Sequence, residues 1–306
     1  MQIGLMFEGQ MGLNWDYWKQ ILRIAEDAGY QSVFRSDHFT NPQGDIQDAL
    51  ELWTSLTYAA TTTHSIEFGP LVTPITFRHP SLLAQYASSV DVLSGGRLVL
   101  GMGTGWQDRE HEAFGIPFPP LSERYEHLQD GLEMISRLFA AEEPISYDGK
   151  HYALKDANIT MKRPNTTILI GGNGPKKTLP LAAKYAHEWN AVYLNMDDFK
   201  SRNALLDEYL EQEGRAKQDV KRSLMIRCIY GKDDSALARK LETVNSSKAE
   251  LQERGIVVGT GAEVVEMLGK WQDTGLQRIM LQWIELDDLP TLEDLANDIL
   301  PHFQGA

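Results

Sequence analysis

Short apolar runs alternate with longer amphipathic stretches along the whole chain. Residues 2–8, 66–73, 167–172 and 278–284 are examples of the apolar runs, and each is followed by apolar residues at helical spacing. About eight such strand–helix units occupy the 306 residues. Because the runs are continuously apolar, the strands are expected to be covered on both faces, as in parallel sheets. The pattern therefore predicts a single α/β domain over residues 1–306 that closes into a (β/α)8 TIM barrel.

Two stretches interrupt the alternation. Asp148-Gly149, near the centre of residues 145–154, is a pair typical of β-hairpin turns. Residues 231–258 are rich in Lys, Ser and Glu and predict an added helical segment. These two stretches are expected to be insertions after the fourth and seventh strands of the barrel.

Composition and charge exclude several classes of function. The net charge of −14 disfavours nucleic acid and anionic membrane surfaces as partners. No run approaches the roughly 18 apolar residues of a membrane-spanning helix, and the first residues lack the pattern of a signal peptide. The one cysteine, Cys228, cannot form an intrachain disulfide, which suits a reducing compartment. The sequence therefore predicts a cytoplasmic protein whose partner is a small molecule.

Charged residues follow several of the predicted strands, where barrel enzymes place their chemistry. Asp37 and His38 end the second strand, Glu8 follows the first, and Glu285 follows the last. The histidines show no close metal-ligand spacing, so no metal site is predicted. A glycosidase pair drawn from Glu8, Asp37 and Glu285 stays open, because the sequence does not fix the separation of these carboxylates. An imidazole such as His38 transfers protons near neutral pH.

Two glycine-rich segments end predicted strands. In the first, GMGTGW, the glycines Gly101, Gly103 and Gly105 recur at every second residue, which places them on one face. Trp106 stands where a dinucleotide-binding fingerprint needs its last glycine, so that fingerprint is absent. The glycines therefore allow either a flat ligand against the backbone or close packing of the strands.

The second glycine-rich segment is LIGGNGPKKTL, residues 169–179. The glycines lead into a predicted helix that begins beside Lys176, Lys177 and Thr178. Free amides at a helix N-terminus, with lysines beside them, favour an anion such as phosphate. The alternative is an ordinary tight turn with solvated lysines.

Four segments occur in this order: RSDHF, LVTPITFRHPSLLAQYASSVDVLSGGRLVLGMGTGW, EHEAFGIPFPPLSERYEHL and LIGGNGPKKTLPLAAKYA. Together they resemble the bacterial luciferase-like flavin and deazaflavin superfamily, and most closely its coenzyme F420-dependent oxidoreductase branch. The similarity covers nearly the whole chain and is weakest across residues 195–258. It implies a TIM barrel, a homodimer, and a cofactor that lies across the C-terminal mouth and exchanges a hydride.

The resemblance implies roles for individual residues. Asp37 and His38 are the implied catalytic pair beside the ring, with His38 in an acid–base or ring-polarising role. A cis peptide bond between Pro70 and Leu71 is implied behind the ring. The cofactor-binding residues expected from the resemblance and the glycine-rich segments are Asp37, His38, Pro70, Leu71, Val72, Thr73, Gly103, Thr104, Gly105, Trp106, Gly171, Gly172, Asn173, Gly174, Lys176, Lys177 and Thr178.

One position departs from the family pattern. The branch that oxidises sugar phosphates has a glutamate acid where this chain has Trp106. The substrate is therefore expected to be a small, apolar organic molecule. Coenzyme F420 is the predicted cofactor, and Arg78 or Arg109, together with the lysines, would hold its anionic tail. An FMN-dependent monooxygenase of the same superfamily is the alternative.

Overall fold

Parallel strands form a barrel at the centre of the molecule. The computed structural model describes residues 1–163 and 165–303, so residue 164 and the last three residues of the predicted domain lie outside it. The strands in the described residues are β1 (Gln2–Phe7), β2 (Ser32–Arg35), β3 (Glu67–Pro70), β4 (Thr73–Pro74), β5 (Val99–Gly103), β6 (Ile145–Asp148), β7 (Ala153–Ala157), β8 (Thr167–Gly171), β9 (Glu188–Val192), β10 (Lys221–Tyr230), β11 (Val257–Gly259) and β12 (Arg278–Trp283).

The order of strands around the barrel is β3, β2, β1, β12, β10, β9, β8, β5 and β4. Every neighbouring pair on this path is parallel. β3 pairs with β2 and β4 pairs with β5, so the two short strands are halves of one barrel strand and nearly close the ring. A parallel bridge between Phe68 and Leu98 also joins the two edges. This is the TIM barrel that the sequence predicts.

Helices cover the outside of the barrel. The α-helices in the described residues are α1 (Trp15–Ala28), α2 (Leu52–Thr62), α3 (Pro80–Ser94), α4 (Asp108–Ala113), α5 (Leu121–Ala140), α6 (Thr178–Tyr185), α7 (Met196–Gln212), α8 (Asp234–Glu242), α9 (Lys248–Glu253), α10 (Gly261–Asp273) and α11 (Thr291–Ile299). None of these helices is long and apolar enough to cross a membrane. Asn14 caps the start of α1, because its side-chain oxygen accepts hydrogen bonds from the backbone amides of Asp16 and Tyr17.

One helix begins later than its apolar pattern predicts. The pattern over residues 46–63 suggests a helix, whereas α2 begins at Leu52. Glu51 fixes this start, because its carboxylate accepts the amide of Thr54 at 2.7 Å. The residues before Glu51 form a loop after β2 instead, and residues 41–43 of this loop reach the mouth of the barrel.

Two further details differ from the sequence-based expectation. The cis peptide bond lies between Leu71 and Val72, one residue beyond the predicted Pro70–Leu71 bond. Pro70 still pairs with Arg35 as the last residue of β3, so the break between β3 and β4 begins after it. Residues 231–258, expected to be helical, contain α8 and α9 and also β11, which pairs with β10.

An apolar layer fills the inside of the barrel. Its members are Met6, Phe34, Leu71, Val99, Leu169, Met225 and Met280. Side chains along a strand alternate between its two faces. The residue two positions after each member of this layer therefore also faces inward, and it lies nearer the mouth of the barrel. Five of the seven residues reached in this way, Glu8, Ser36, Gly171, Arg227 and Gln282, line a cavity there, whereas Thr73 and Gly101 do not. The apolar layer is therefore the floor of that cavity.

Buried charged side chains lie at the other end of the barrel, at the first residues of the strands. Nη1 of Arg278 lies 3.5 Å from Oε2 of Glu188, and both side chains are only 1% exposed. Arg278 also contacts Glu67, and its Nε donates to Gln2 at 3.0 Å. Neither carboxylate oxygen of Glu188 has a hydrogen-bond partner among the described residues. Arg278 thus supplies the positive charge that compensates Glu188.

Candidate active site

A cavity of about 790 Å³ opens at the carboxyl ends of the barrel strands. This volume lies within the range of small-molecule and cofactor sites, roughly 300–1,000 Å³. The cavity is where the sequence predicts function, on the loops that follow the strands. Within residues 1–163 and 165–303, no group of three or more histidine, cysteine, aspartate or glutamate side chains is arranged to hold a metal ion.

His38 and Glu110 form a hydrogen-bonded pair at the edge of the cavity. His38 follows β2 and lines the cavity, whereas Glu110 lies on α4 and is fully buried. Nδ1 of His38 lies 2.7 Å from Oε1 of Glu110, and Oε2 of Glu110 accepts the amide of Phe39 at 2.9 Å. Because Glu110 holds Nδ1, Nε2 is the ring nitrogen left to meet a ligand in the cavity.

The environment of His38 raises its pKa above that of a free imidazole. Burial has the largest single effect and lowers the pKa, but the hydrogen bond and charge of Glu110 act in the opposite direction. The charges of Glu8 and Asp37 add to the increase, and together these effects outweigh burial. His38 therefore holds a proton to a higher pH than an exposed histidine and can release it to a ligand.

Replacing Glu110 by glutamine is expected to shift the pH dependence of any reaction that needs protonated His38. A glutamine side chain keeps one acceptor oxygen, which can bond the amide of Phe39, but it removes the charge that raises the pKa of His38. The pKa then falls, so the loss of activity on raising pH begins at a lower pH than in the wild type. The pH profile of kcat/KM measures this directly, and an unchanged profile would show that Glu110 only packs against the ring.

Asp37 points away from the cavity, into an ion pair. Its carboxylate accepts Oγ1 of Thr73 at 2.6 Å and contacts both terminal nitrogens of Arg78. Arg78 also reaches Glu51 at 3.1 Å. Successive residues alternate between faces at the end of β2, so His38 faces the cavity and Asp37 does not. These residues support the cavity from behind, and contact between Asp37 and a ligand stays a prediction.

One wall of the cavity is formed largely by backbone. A Cβ atom at Gly103 would lie 2.6 Å from Cγ2 of Val72, and one at Gly171 would lie 2.9 Å from Cγ1 of Val72. A side chain at either position would therefore displace Val72 or protrude into the cavity. Gly101 has a different role, because a Cβ there would lie 2.1 Å from the carbonyl oxygen of Pro70. Close packing thus accounts for Gly101, against backbone, and for Gly103, against Val72, whereas a flat ligand on this face stays a prediction.

The segment after β5 continues this wall to the rim, where Thr104, Gly105 and Trp106 line the cavity. Gly105 has a φ of 75°, in the left-handed region that favours glycine. Trp106 is 62% exposed, and its ring meets that of His38 edge-on with centroids 5.5 Å apart. An exposed indole beside His38 offers a large apolar surface to a ligand.

The predicted phosphate-binding segment joins β8 to α6. The side-chain amide of Asn173 donates to and accepts from the backbone of Val192, at 2.7 and 2.9 Å. Thr178 is buried, with its hydroxyl 2.9 Å from that of Tyr125. Residues 176–177, the two lysines, are exposed beside the start of the helix. The positive end of a helix and two cations therefore lie together, and phosphate binding here stays a prediction.

The wall across the barrel from the glycines is polar. Glu8 accepts hydrogen bonds from the side-chain amides of Gln10, at 3.0 Å, and Gln282, at 2.6 Å. The hydroxyl of Tyr193 donates to the other end of the Gln282 amide. Burial raises the pKa of Tyr193 to about 12, so this hydroxyl keeps its proton. A chain of hydrogen bonds thus fixes these side chains across β1, β12 and the end of β9.

The residues predicted from the sequence divide into two groups. Those that line the cavity are His38, Leu71, Val72, Gly103, Thr104, Gly105, Trp106, Gly171 and Gly172. Those outside its lining are Asp37, Pro70, Thr73, Asn173, Gly174, Lys176, Lys177 and Thr178. The roles of five residues were not predicted from the sequence: Gln10, Glu110, Tyr193, Arg227 and Gln282. The sequence does contain a pattern that could have identified Arg227 and Gln282. Each is a polar residue in an apolar strand, two positions after a methionine.

Known proteins resemble this chain in sequence and in fold. The family described as luciferase-like monooxygenase matches residues 3–255. The chain is 32% identical to the F420-dependent glucose-6-phosphate dehydrogenase of Microbacterium testaceum, over 71% of the chain and 65% of that relative. It is 27% identical to the protein of that name from Intrasporangium calvum, over 92% of both chains. The structure of an F420-dependent secondary alcohol dehydrogenase in complex with an F420-acetone adduct shares the fold, with a TM-score of 0.87 and 18% identity over 98% of both chains.

Proposed function

Because the chain belongs to the luciferase-like monooxygenase family, we propose that it is an oxidoreductase that transfers a hydride between coenzyme F420 and a small organic substrate at the mouth of its barrel. Both relatives compared above are named as F420-dependent, which supports the cofactor that the sequence motifs predict. The observation on which the proposal chiefly rests is the pair of His38 and Glu110 beside a wall of glycines. Such a site can bind a flat ring and can donate or accept a proton beside it.

The glycine wall fits a flat cofactor. Gly103 and Gly171 have no side chain on the cavity side, and Val72 occupies the space that their Cβ atoms would need. A tricyclic ring can then lie against backbone and Val72 over a broad surface. The exposed lysines at the start of α6 would hold the anionic end of the cofactor.

The protein's own residues perform the proton transfer. Coenzyme F420, when bound, supplies or accepts the hydride through its deazaflavin ring. In the direction of substrate reduction, Nε2 of His38 gives a proton to the substrate, and in the reverse direction it takes one. Glu110 orients the ring through Nδ1 and stabilises the protonated form. The apolar floor of the cavity, and Trp106 at its rim, would limit the access of water to a bound substrate.

The lining favours a small apolar substrate over a sugar phosphate. Trp106 gives the rim an apolar surface, and Met11 and Ile284 add to it. The polar wall bears Glu8, whose charge would repel a phosphate that approaches it. The proposed substrate therefore differs from the one named for the two relatives. Recording oxidation of reduced F420 with a panel of enones, imines, quinones and glucose 6-phosphate tests this, and turnover of the sugar phosphate alone would overturn it.

Replacing Lys176 and Lys177 together by alanine is expected to weaken F420 binding about tenfold while leaving the fold intact. Both side chains are exposed, so each contact with an anion is partly screened by solvent. Calorimetry measures the change in dissociation constant. The matched control replaces Lys19 and Lys270, two exposed lysines on α1 and α10, and should leave binding unchanged. Equal affinity in the test and control variants would support an ordinary turn.

The proposed assembly is a homodimer formed through α3. Leu82, Tyr86 and Leu93 recur at helical spacing on this helix and are 51%, 42% and 51% exposed. Such a row of exposed large apolar side chains is typical of an interface between subunits. The proposed unit is a single barrel domain over residues 1–306, working in the reducing cytoplasm that its one cysteine suits.

Replacing Leu82 and Leu93 by glutamate is expected to convert the homodimer to a monomer. Each change places a charge in the middle of an apolar contact, where it cannot be solvated. Light scattering gives the mass directly. Leu121→Glu is the control, because Leu121 is 52% exposed on α5 and lies outside the proposed interface. A wild-type protein that is monomeric at micromolar concentration would contradict the proposed assembly.

A further inference from the structure

We infer that Arg227 donates a hydrogen bond to a neutral carbonyl oxygen of the substrate, and that the site therefore selects uncharged, carbonyl-bearing substrates. This deepens the proposed function and rests on it for the identity of the ligand as a substrate. Arg227 is on β10 and lines the cavity on its polar wall. Three features of this wall support the inference: the side chains of Gln10, Gln282 and Tyr193 already donate to protein partners, Arg227 has unused donors, and the surrounding charges disfavour an anion.

The other polar side chains of the wall already bond to one another. Gln10 donates to Glu8 and accepts from the hydroxyl of Ser36 at 2.8 Å. Gln282 donates to the second oxygen of Glu8 and accepts from Tyr193. Each of these groups thus has a protein partner, and a ligand would have to break an existing hydrogen bond to use it.

Arg227 is different, because most of its donors have no partner. A guanidinium has five N–H groups. One nitrogen, Nη2, lies 3.4 Å from Glu285, a long contact. Among the described residues, Nη1 has no acceptor, and Nε is buried without one. The side chain is 21% exposed, so part of it still faces the cavity. Unpaired donors in a largely desolvated place cost stability, and an acceptor oxygen on a ligand would remove that cost.

The charges around Arg227 favour a neutral acceptor over an anion. Glu285 contacts the guanidinium, and Glu8 lies on the same wall with only neutral amides as its partners. A carboxylate on the ligand would be repelled by Glu285 and Glu8 as well as attracted by Arg227. A ketone, aldehyde, amide or enone carbonyl accepts the same hydrogen bond without that repulsion. The expected substrate therefore combines an apolar body with a neutral carbonyl group.

The test compares three ligands of nearly the same shape: acetophenone, isopropylbenzene and benzoate. Calorimetry gives their affinities for the protein with and without bound F420. The wild type is expected to bind acetophenone about tenfold more tightly than the other two. Arg227→Met should remove this preference and leave isopropylbenzene unaffected. Arg137→Met, which alters an exposed arginine on α5, should change none of the three affinities.

A second variant separates the charge effect from the hydrogen bond. Glu285→Gln removes one negative charge beside Arg227 and should raise the affinity for benzoate severalfold, while acetophenone changes little. If Arg227→Met does not fold, Arg227→Lys retains the charge without the planar fork and should show a reduced preference for acetophenone.

Three results would overturn the inference. They are equal binding of acetophenone and isopropylbenzene by the wild type, tightest binding of benzoate, or a preference for acetophenone that survives in the Arg227 variants. Failure of F420 to bind would instead contradict the proposed function. The affinities measured without cofactor would still decide the role of Arg227, because the wall is part of the polypeptide.

Discussion

Replacement of His38 by asparagine is expected to lower turnover by about 10²–10⁴-fold, with little change in the affinity for F420. Asparagine can still accept or donate a hydrogen bond but cannot exchange a proton near neutral pH. Glu110 then has no imidazole to orient, although it keeps the amide of Phe39 as a partner. Steady-state kinetics with reduced F420 and any accepted substrate give the change in kcat, and fluorescence titration gives the affinity.

The control for this variant is His64→Asn, which changes an exposed histidine in the loop between α2 and β3. It should leave turnover and affinity unchanged. Turnover of His38→Asn within a few-fold of the wild type would show that solvent or another side chain supplies the proton. An equal loss of F420 affinity would show that His38 binds the cofactor rather than acting on protons.

Replacement of Arg278 by methionine is expected to lower the free energy of unfolding by about 3–5 kcal/mol. The change leaves Glu188 as a buried charge, with neither oxygen hydrogen-bonded within the described residues. It also removes the contact with Glu67 and the hydrogen bond to Gln2. Because this cluster lies at the opposite end of the barrel from the cavity, the folded fraction should keep its affinity for F420. Urea unfolding at neutral pH measures the loss.

The double variant Arg278→Met, Glu188→Met tests the cause of that loss. If the cost comes from the uncompensated charge, removing Glu188 as well should restore most of the stability, because apolar pairs can replace buried ion pairs at little cost. A double variant that is less stable than Arg278→Met would show that packing around Arg278 is what matters. A loss below about 1 kcal/mol in the single variant would show that water or Lys221 already compensates Glu188.

The fold could be predicted from the sequence because the alternation of apolar strands and amphipathic helices repeats along the whole chain. Continuous apolar runs and helical spacing identify the barrel, and the barrel alone places function at the carboxyl ends of its strands. Gly103 and Gly171 were found in this way, and both line the cavity. The position of the cis bond was wrong by one residue, because nothing in the residues 70–73 shows where β3 ends.

The side-chain arrangement of the site was harder to predict. Asp37 and His38 are neighbours in the sequence, yet they face opposite ways because side chains alternate at a strand end. Glu110 was missed because it meets His38 from 72 residues away, on a short helix that has no clear apolar pattern. Arg227 and Gln282 were missed because apolar neighbours made their strands look uniform. Local patterns thus identify elements, whereas contacts between distant side chains require the assembled barrel.

In the proposed function, this cavity holds coenzyme F420 for hydride transfer. The most direct measurement titrates the purified protein with F420 and with FMN, and then assays each reduced cofactor with an enone acceptor in the presence and absence of oxygen. The proposed function predicts micromolar binding of F420 and reduction of the acceptor at the same rate with or without oxygen. Tight binding of FMN with turnover that depends on oxygen would contradict it and identify the protein as a monooxygenase.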